Sequence, residues 1–139
     1  MPRKTDSNNP ADWLFIAESE LAGIQSLAEQ QLAYTLCTSK LAEVLEKVLK
    51  AELLRLGWFL VKTHDLQELA GELQARHSDL LPQLRPLCTA LAERYFTDRY
   101  PGFDLDDPDW PLLRQQIQQV AAVLAQVKTR VESSSSAPS

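Results

Sequence analysis

Apolar residues recur every three to four positions along most of the chain, a spacing that places them on one face of a helix. The pattern predicts five helices and no strand. The first runs from about Asp12 to Gln30, with Trp13, Ile16, Ala17, Leu21, Ile24, Leu27 and Ala28 on its stripe. Asn9 or Asp12 is suited to cap it, because a short polar side chain accepts hydrogen bonds from the free first-turn amides. The second runs from about Leu32 to Leu56. Leu41, Val44, Leu45, Val48 and Leu49 form its apolar arc, and Lys40, Glu43, Lys47 and Lys50 form the opposite arc. Glu43 with Lys47 and Glu46 with Lys50 have the i,i+4 spacing of favourable helical ion pairs. Gly57 follows as a residue that ends a helix at positive φ without a Cβ clash. Glu52 breaks the pattern by projecting amid the apolar arc. A carboxylate there needs a partner, and a cation on a dimer partner is one candidate.

Asp65 followed by Glu68 is a capping-box spacing, so a short third helix is expected from Leu66 to about Arg76. The fourth starts near Pro82 or Pro86, carries Leu87, Ala90, Leu91 and Tyr95, and ends near Arg99, before Tyr100-Pro101-Gly102. Pro111 opens the fifth, with Asp109 at its positive end and Leu113, Ile117, Val120, Ala121, Leu124, Val127 and Val131 on its stripe. Residues 1–10 read as a flexible arm, 11–132 as the folded unit and 133–139 as a disordered tail. Long helices with short connections predict an all-α, up-and-down antiparallel bundle of four main helices plus one short helix.

Composition agrees with helix. The 139 residues weigh 15.6 kDa, enough for one domain, and contain only four glycines. The formal charge of -5 argues against a whole-surface grip on nucleic acid, but leaves room for a small cationic pocket. No secretory leader and no transmembrane stretch is expected, so the default is cytoplasmic. Cys37 and Cys88 lie in helical apolar patterns and read as small buried hydrophobes.

The chemistry-bearing residues are few. Asp104, Asp106, Asp107 and Asp109 lack the spacing of a calcium loop and read as a solvated, helix-capping segment. His64 and His77 have no metal-ligand partner at a useful spacing, so no metal and no cofactor is expected. His77 reads as a surface side chain. His64, at a helix entrance, reads as a capping or packing residue, with a ligand contact as the alternative. No phosphate-cradling glycine loop exists, so any phosphate must be held by side chains or helix N-termini. The cationic candidates are Lys47 and Lys50 on the second helix and Arg94 and Arg99 on the fourth. Tyr95 and Tyr100 stand beside the two arginines. Such pairs stack on bases in some sites, and elsewhere simply lay an arginine stem over a core tyrosine.

The layout carries more than any one motif. Asp12 to Leu21 opens the bundle. Glu46-Lys47-Val48-Leu49-Lys50 follows on the second helix, then Thr63-His64-Asp65-Leu66, then Asp98-Arg99-Tyr100-Pro101-Gly102 at the close of the fourth. Over about residues 12–131 this order resembles the HEPN domain family. The resemblance implies a helical bundle, commonly a homodimer, in a prokaryotic setting where a minimal nucleotidyltransferase is often encoded alongside. Some members are toxin RNases of toxin-antitoxin pairs that cut RNA without a metal; others bind nucleotides or RNA without catalysis.

Two departures matter. The active RNases carry Arg, four to six residues, then His. Here Arg55 precedes His64 by nine positions, and Arg76 directly precedes His77. Metal-independent cleavage needs a group that moves a proton from the 2′-hydroxyl, paired with a cation for the phosphate. Ala42-Glu43 also stands where members usually have two glutamines. The leading expectation is a non-catalytic homodimer with no catalytic residue. It would bind a nucleotide through Lys47, Lys50, His64, Arg94, Arg99 and Tyr100, contact a nucleotidyltransferase, or do both. The alternatives are an RNase with an atypical site, using Arg94 or Arg99 with His64, and a purely structural helical interaction protein.

Overall fold

The computed structural model describes the backbone of residues 7–97 and 107–136 and the side chains of 7–92 and 107–133. Five helices account for the described elements, with no strand among them: α1 (Pro10–Glu29), α2 (Tyr34–Arg55), α3 (Leu66–Ala75), α4 (Leu81–Thr97) and α5 (Trp110–Ser136). α2 packs against all four others. It is therefore the central helix, and thirteen of its 22 residues are buried. Leu41, Leu45, Leu49 and Leu53 of α2 meet Leu69, Leu73, Leu84, Leu91 and Leu113 in one continuous core. A helix surrounded on several sides has little solvated face left. Thr38, Glu46, Lys50 and Glu52 are buried with it, so the polar arc of α2 is in part covered.

Glu52 is 1% exposed and fully partnered within the chain. Arg55 donates to it through Nε at 2.6 Å and Nη2 at 2.9 Å, and Arg130 of α5 through Nη1 at 2.9 Å. Arg130 also forms a two-pronged pair with Asp79, in the α3–α4 turn, at 2.9 and 2.7 Å. That pairing holds the Asp79 carboxyl below its ordinary range. The expectation of a dimer partner's cation at Glu52 is thus corrected. One partner, Arg55, lies a turn away on α2 itself; the other, Arg130, is on α5, 78 residues away in sequence, where helical projection of α2 alone cannot find it.

Three helices end by the same device. In a Schellman motif the first residue past the cap takes positive φ, and two amides turn back onto the last free carbonyls. At α2, Gly57 (φ 92) donates to Leu54 and Trp58 donates to Leu53. At α1, Gln31 (φ 55) donates to Ala28 and Leu32 to Leu27. At α3, His77 (φ 57) donates to Gln74 and Ser78 to Leu73. Only the glycine was legible in advance. The exposed His77 has a backbone role, since His tolerates this region better than bulky or branched residues.

The starts follow their caps. Asn9 accepts from the Ala11 amide at 3.0 Å, and Pro10 occupies the first helical position, two residues earlier than expected. Asp109 accepts from Leu112 at 3.1 Å at the head of α5. Pro82 lies in the first turn of α4, and Pro86 falls inside the helix. Helix α5 continues to Ser136, so the serine run assigned to a tail from 133 is helical up to that point. Asp104 and Asp106 lie outside the described residues. Cys37 and Cys88 are buried; burial raises both thiols, Cys88 to about 11.

Candidate functional site

The end of α2 sets up the site. The Schellman turn at Gly57 buries Trp58 and releases residues 59–64 as a non-helical segment that runs alongside the polar arc of α2. Asp65 then starts α3 by accepting from the Gln67 and Glu68 amides at 2.9 and 3.3 Å. The capping box is rearranged. Thr63, not Glu68, accepts from the Asp65 amide at 3.1 Å, and Thr63 donates to Glu68 at 2.9 Å. This fixes the backbone on either side of His64.

Between α1, α2 and this segment lies a groove of about 440 Å³. That is within the range of small-molecule sites. Trp13 of α1, Lys40, Glu43, Glu46, Lys47 and Lys50 of α2, and Leu60, Val61, Lys62 and His64 of the segment line it. A connected set of contacts crosses the groove. Lys50 Nζ stands 5.1 Å from the centre of the Trp13 ring and donates to Glu46 at 3.0 Å. Glu46 in turn faces His64 Nδ1 at 3.0 and 3.2 Å. Lys50 and Glu46 are 3% and 6% exposed, so a mostly buried pair positions an imidazole that is itself 70% exposed. The carboxylate favours a proton on Nδ1 of the ring.

Trp13 is fixed from its other side. Its Nε1 donates to the Ser7 carbonyl at 2.7 Å, while the Ser7 hydroxyl donates to Asp12 at 2.6 Å and accepts from the Asn9 amide at 3.0 Å. The lysines of the groove are held by carboxylates. Lys47 pairs with Glu20 of α1, in place of the i,i+4 pair with Glu43. Lys40 pairs with Glu43 at 2.7 Å and with Glu20 at 3.2 Å, and these bonds, the one to Glu43 foremost, raise its ammonium above the ordinary value. Lys62 is exposed and has no ion-pair partner among the described residues.

Three of the six residues expected to bind a nucleotide therefore meet in one place: Lys47, Lys50 and His64. Arg94 belongs to α4, but its side chain lies outside the described residues, as do Arg99 and Tyr100 altogether. Sequence reasoning missed Trp13, Lys40, Glu46 and Lys62 as site residues. Trp13 looked like one more core position. The charged residues of α2 carried a usable signal, because Lys40, Glu43, Lys47 and Lys50 share one face at helical spacing. Among the described residues no cluster of three His, Cys, Asp or Glu side chains can hold a metal ion, and no helix is long and apolar enough to cross a membrane.

No curated protein matches the chain, and no solved structure does. The sequence profile of the HEPN domain matches residues 10–132, which covers all five helices but the last residues of α5. The order of helices, the polar arc on the second of them and the family match agree, and the chain belongs to the HEPN domain family.

Proposed function

We propose that this HEPN domain is a non-catalytic module that binds a nucleotide in the groove between α1, α2 and residues 59–64. The observation that carries the reading is the convergence of Lys47, Lys50 and His64 with Trp13 in one groove of about 440 Å³. Trp13, Leu60 and Val61 offer an apolar wall for a base, while Lys62 and His64 at the exposed rim suit phosphate oxygens. Four lysines against two glutamates leave the lining cationic within an acidic protein.

The absence of catalysis rests on residues with other duties. His77 closes α3, Arg76 pairs with Glu72 at 2.8 Å, and Arg55 is bound to Glu52. Arg76 and Arg55 are thus held by carboxylates, and no arginine stands four to six residues before a histidine. The proposal also takes the protein to be a homodimer that meets a nucleotidyltransferase. Phe59, 89% exposed beside the groove, is a side chain that a protein partner would cover.

The test is calorimetric titration with AMP, ADP, ATP and GTP, alongside a Lys62→Ala, His64→Ala variant. Both substituted side chains are exposed, so the fold is expected to be retained. Binding that weakens about tenfold in the variant supports the reading; one or two lost phosphate contacts are worth about that much. Absence of heat with every nucleotide, or an unchanged affinity in the variant, overturns it.

A further inference from the structure

Charge is missing from one side of the bundle. Gln115 to Val127 of α5 holds no Asp, Glu, Lys or Arg, the longest such run in the chain. Over Leu81 to Ala92 of α4 the one charge is Arg85, and it turns toward α3, where it donates to Gln74 at 2.6 Å. Arg114 of α5 faces the opposite flank, lining a hollow with Gln25 and Glu29 of α1. Between α4 and α5 runs an open groove of about 350 Å³. Leu87 and Val123 form its buried floor, and exposed Pro86, Ala90, Leu112 and Ala122 its apolar walls. Gln83, Gln115, Gln116 and Gln119 complete the lining, and Gln126 of α5 donates to Gln83 of α4 at 3.4 Å. Pro86 has no amide to give the Pro82 carbonyl four residues back, which leaves that acceptor without its usual helical donor.

An uncharged face on a chain of net charge -5 is suited to a second copy of itself. A two-fold contact sets one surface patch against the same patch. Charged patches of one sign then repel. A carboxylate only accepts and an ammonium only donates, whereas a glutamine amide does both, so glutamines of two identical patches can exchange hydrogen bonds.

We propose that the α4–α5 face is where two copies of this chain pack, groove against groove, about a two-fold axis. The inference rests on the homodimer in the reading given above and assigns its surface. The nucleotide groove between α1, α2 and residues 59–64 shares no residue with this face. Leu112 to Gln126 covers about 22 Å of helix, and two helices side by side are about 20 Å wide, so each copy offers roughly 450 Å². A total near 900 Å² belongs to the transient class, so the dimer should dissociate on dilution, with a Kd between about 1 μM and 1 mM.

The experiment is sedimentation equilibrium of the full chain from about 10 μM to 1 mM, a range that brackets this Kd. It is run on wild type, on Gln115→Glu, Gln119→Glu, on Gln115→Lys, Gln119→Lys, and on an equal mixture of the two variants. Both positions are exposed, and Gln, Glu and Lys have similar helix propensity, so the fold is expected to be retained. Each variant alone should self-associate at least about tenfold more weakly than wild type, and the mixture should regain affinity to within about threefold. A control, Gln118→Glu, Ala125→Glu, changes exposed positions of α5 outside the groove and should leave the dimer within about twofold of wild type. Variants that dimerise as well as wild type, or a control that weakens as much as they do, overturn the surface and leave the homodimer standing. A mixture that stays monomeric overturns the packing of like on like. A wild type that is monomeric throughout removes the homodimer and this inference with it.

Discussion

Glu52 gives a sharp forecast because the two sides of its ion pair differ in exposure. The carboxylate is 1% exposed, whereas the Arg55 and Arg130 side chains keep 23% and 28% of their surface. Glu52→Leu releases two arginines that can turn into water, and Arg130 keeps its pair with Asp79. An apolar side chain of similar volume in place of a buried charge is often nearly neutral, so the cost should be about 0–2 kcal/mol. The reverse change, Arg55→Met with Arg130→Met, keeps the apolar stems but strips three charged hydrogen bonds from a carboxylate that water cannot reach. Leaving a buried charge unpaired costs about 3–5 kcal/mol, a large share of a typical domain's 5–15 kcal/mol. The assay is urea unfolding at pH 7 followed by far-ultraviolet circular dichroism. With a slope of about 1–3 kcal/mol per molar, the double variant should lose about 1 M or more in midpoint and Glu52→Leu clearly less. A Glu52→Leu protein less stable than the double variant would refute the reasoning, since it would make the arginines the groups that depend on the pair.

Two further outcomes follow from the same structure. Gln31→Gly and His77→Gly, at Schellman positions with φ 55 and 57, should each stabilise by about 0.5–1 kcal/mol, and Gly57→Ala, at φ 92, should cost about 1 kcal/mol; thermal melts read all three. Cys88 sets an alkaline limit. Burial raises its folded pKa from 9.0 to about 11, so its neutral form holds full stability below pH 9 and the contribution is lost as pH rises toward 11. At about 1.4 kcal/mol per tenfold the loss approaches roughly 2–3 kcal/mol, and Cys88→Ala should remove it from urea midpoints measured between pH 8 and 10.5. A Cys88→Ala protein with the same alkaline slope as wild type would contradict this assignment.

What the sequence disclosed and what it hid divide along one physical line. Local, periodic features were legible: the stripes of α1 and α5, the glycine after α2, and Asn9, Asp65 and Asp109 as caps. Each depends on neighbours within a turn or two. Long-range pairings were hidden. Glu52 with Arg130, Lys47 with Glu20, and His64 with Glu46 join residues 78, 27 and 18 positions apart, and no helical projection brings them together. The cover over the polar arc of α2 was hidden for the same reason. On an isolated helix, Glu46 and Lys50 would face water; α2 at the centre of the bundle turns them into the buried support of His64. Gln31 and His77 were missed as helix stops because glycine is the usual signal for that backbone region. Half of the residues expected from the sequence to bind a nucleotide, Lys47, Lys50 and His64, line one groove, since two of them lie one turn apart on a helix and the third stands just before the next one.

The central claim is that a nucleotide occupies the groove beside Trp13. Its indole N–H is the most direct reporter, because it belongs to the groove wall and is bonded to the Ser7 carbonyl, whereas Trp58 is buried in the core and Trp110 packs edge-on against Tyr34. The measurement is a nitrogen–proton correlation spectrum of the three tryptophan indoles during titration with ADP. The account predicts that the Trp13 signal moves in a saturable way while those of Trp58 and Trp110 stay in place. A Trp13 signal that does not move at millimolar ADP would contradict it.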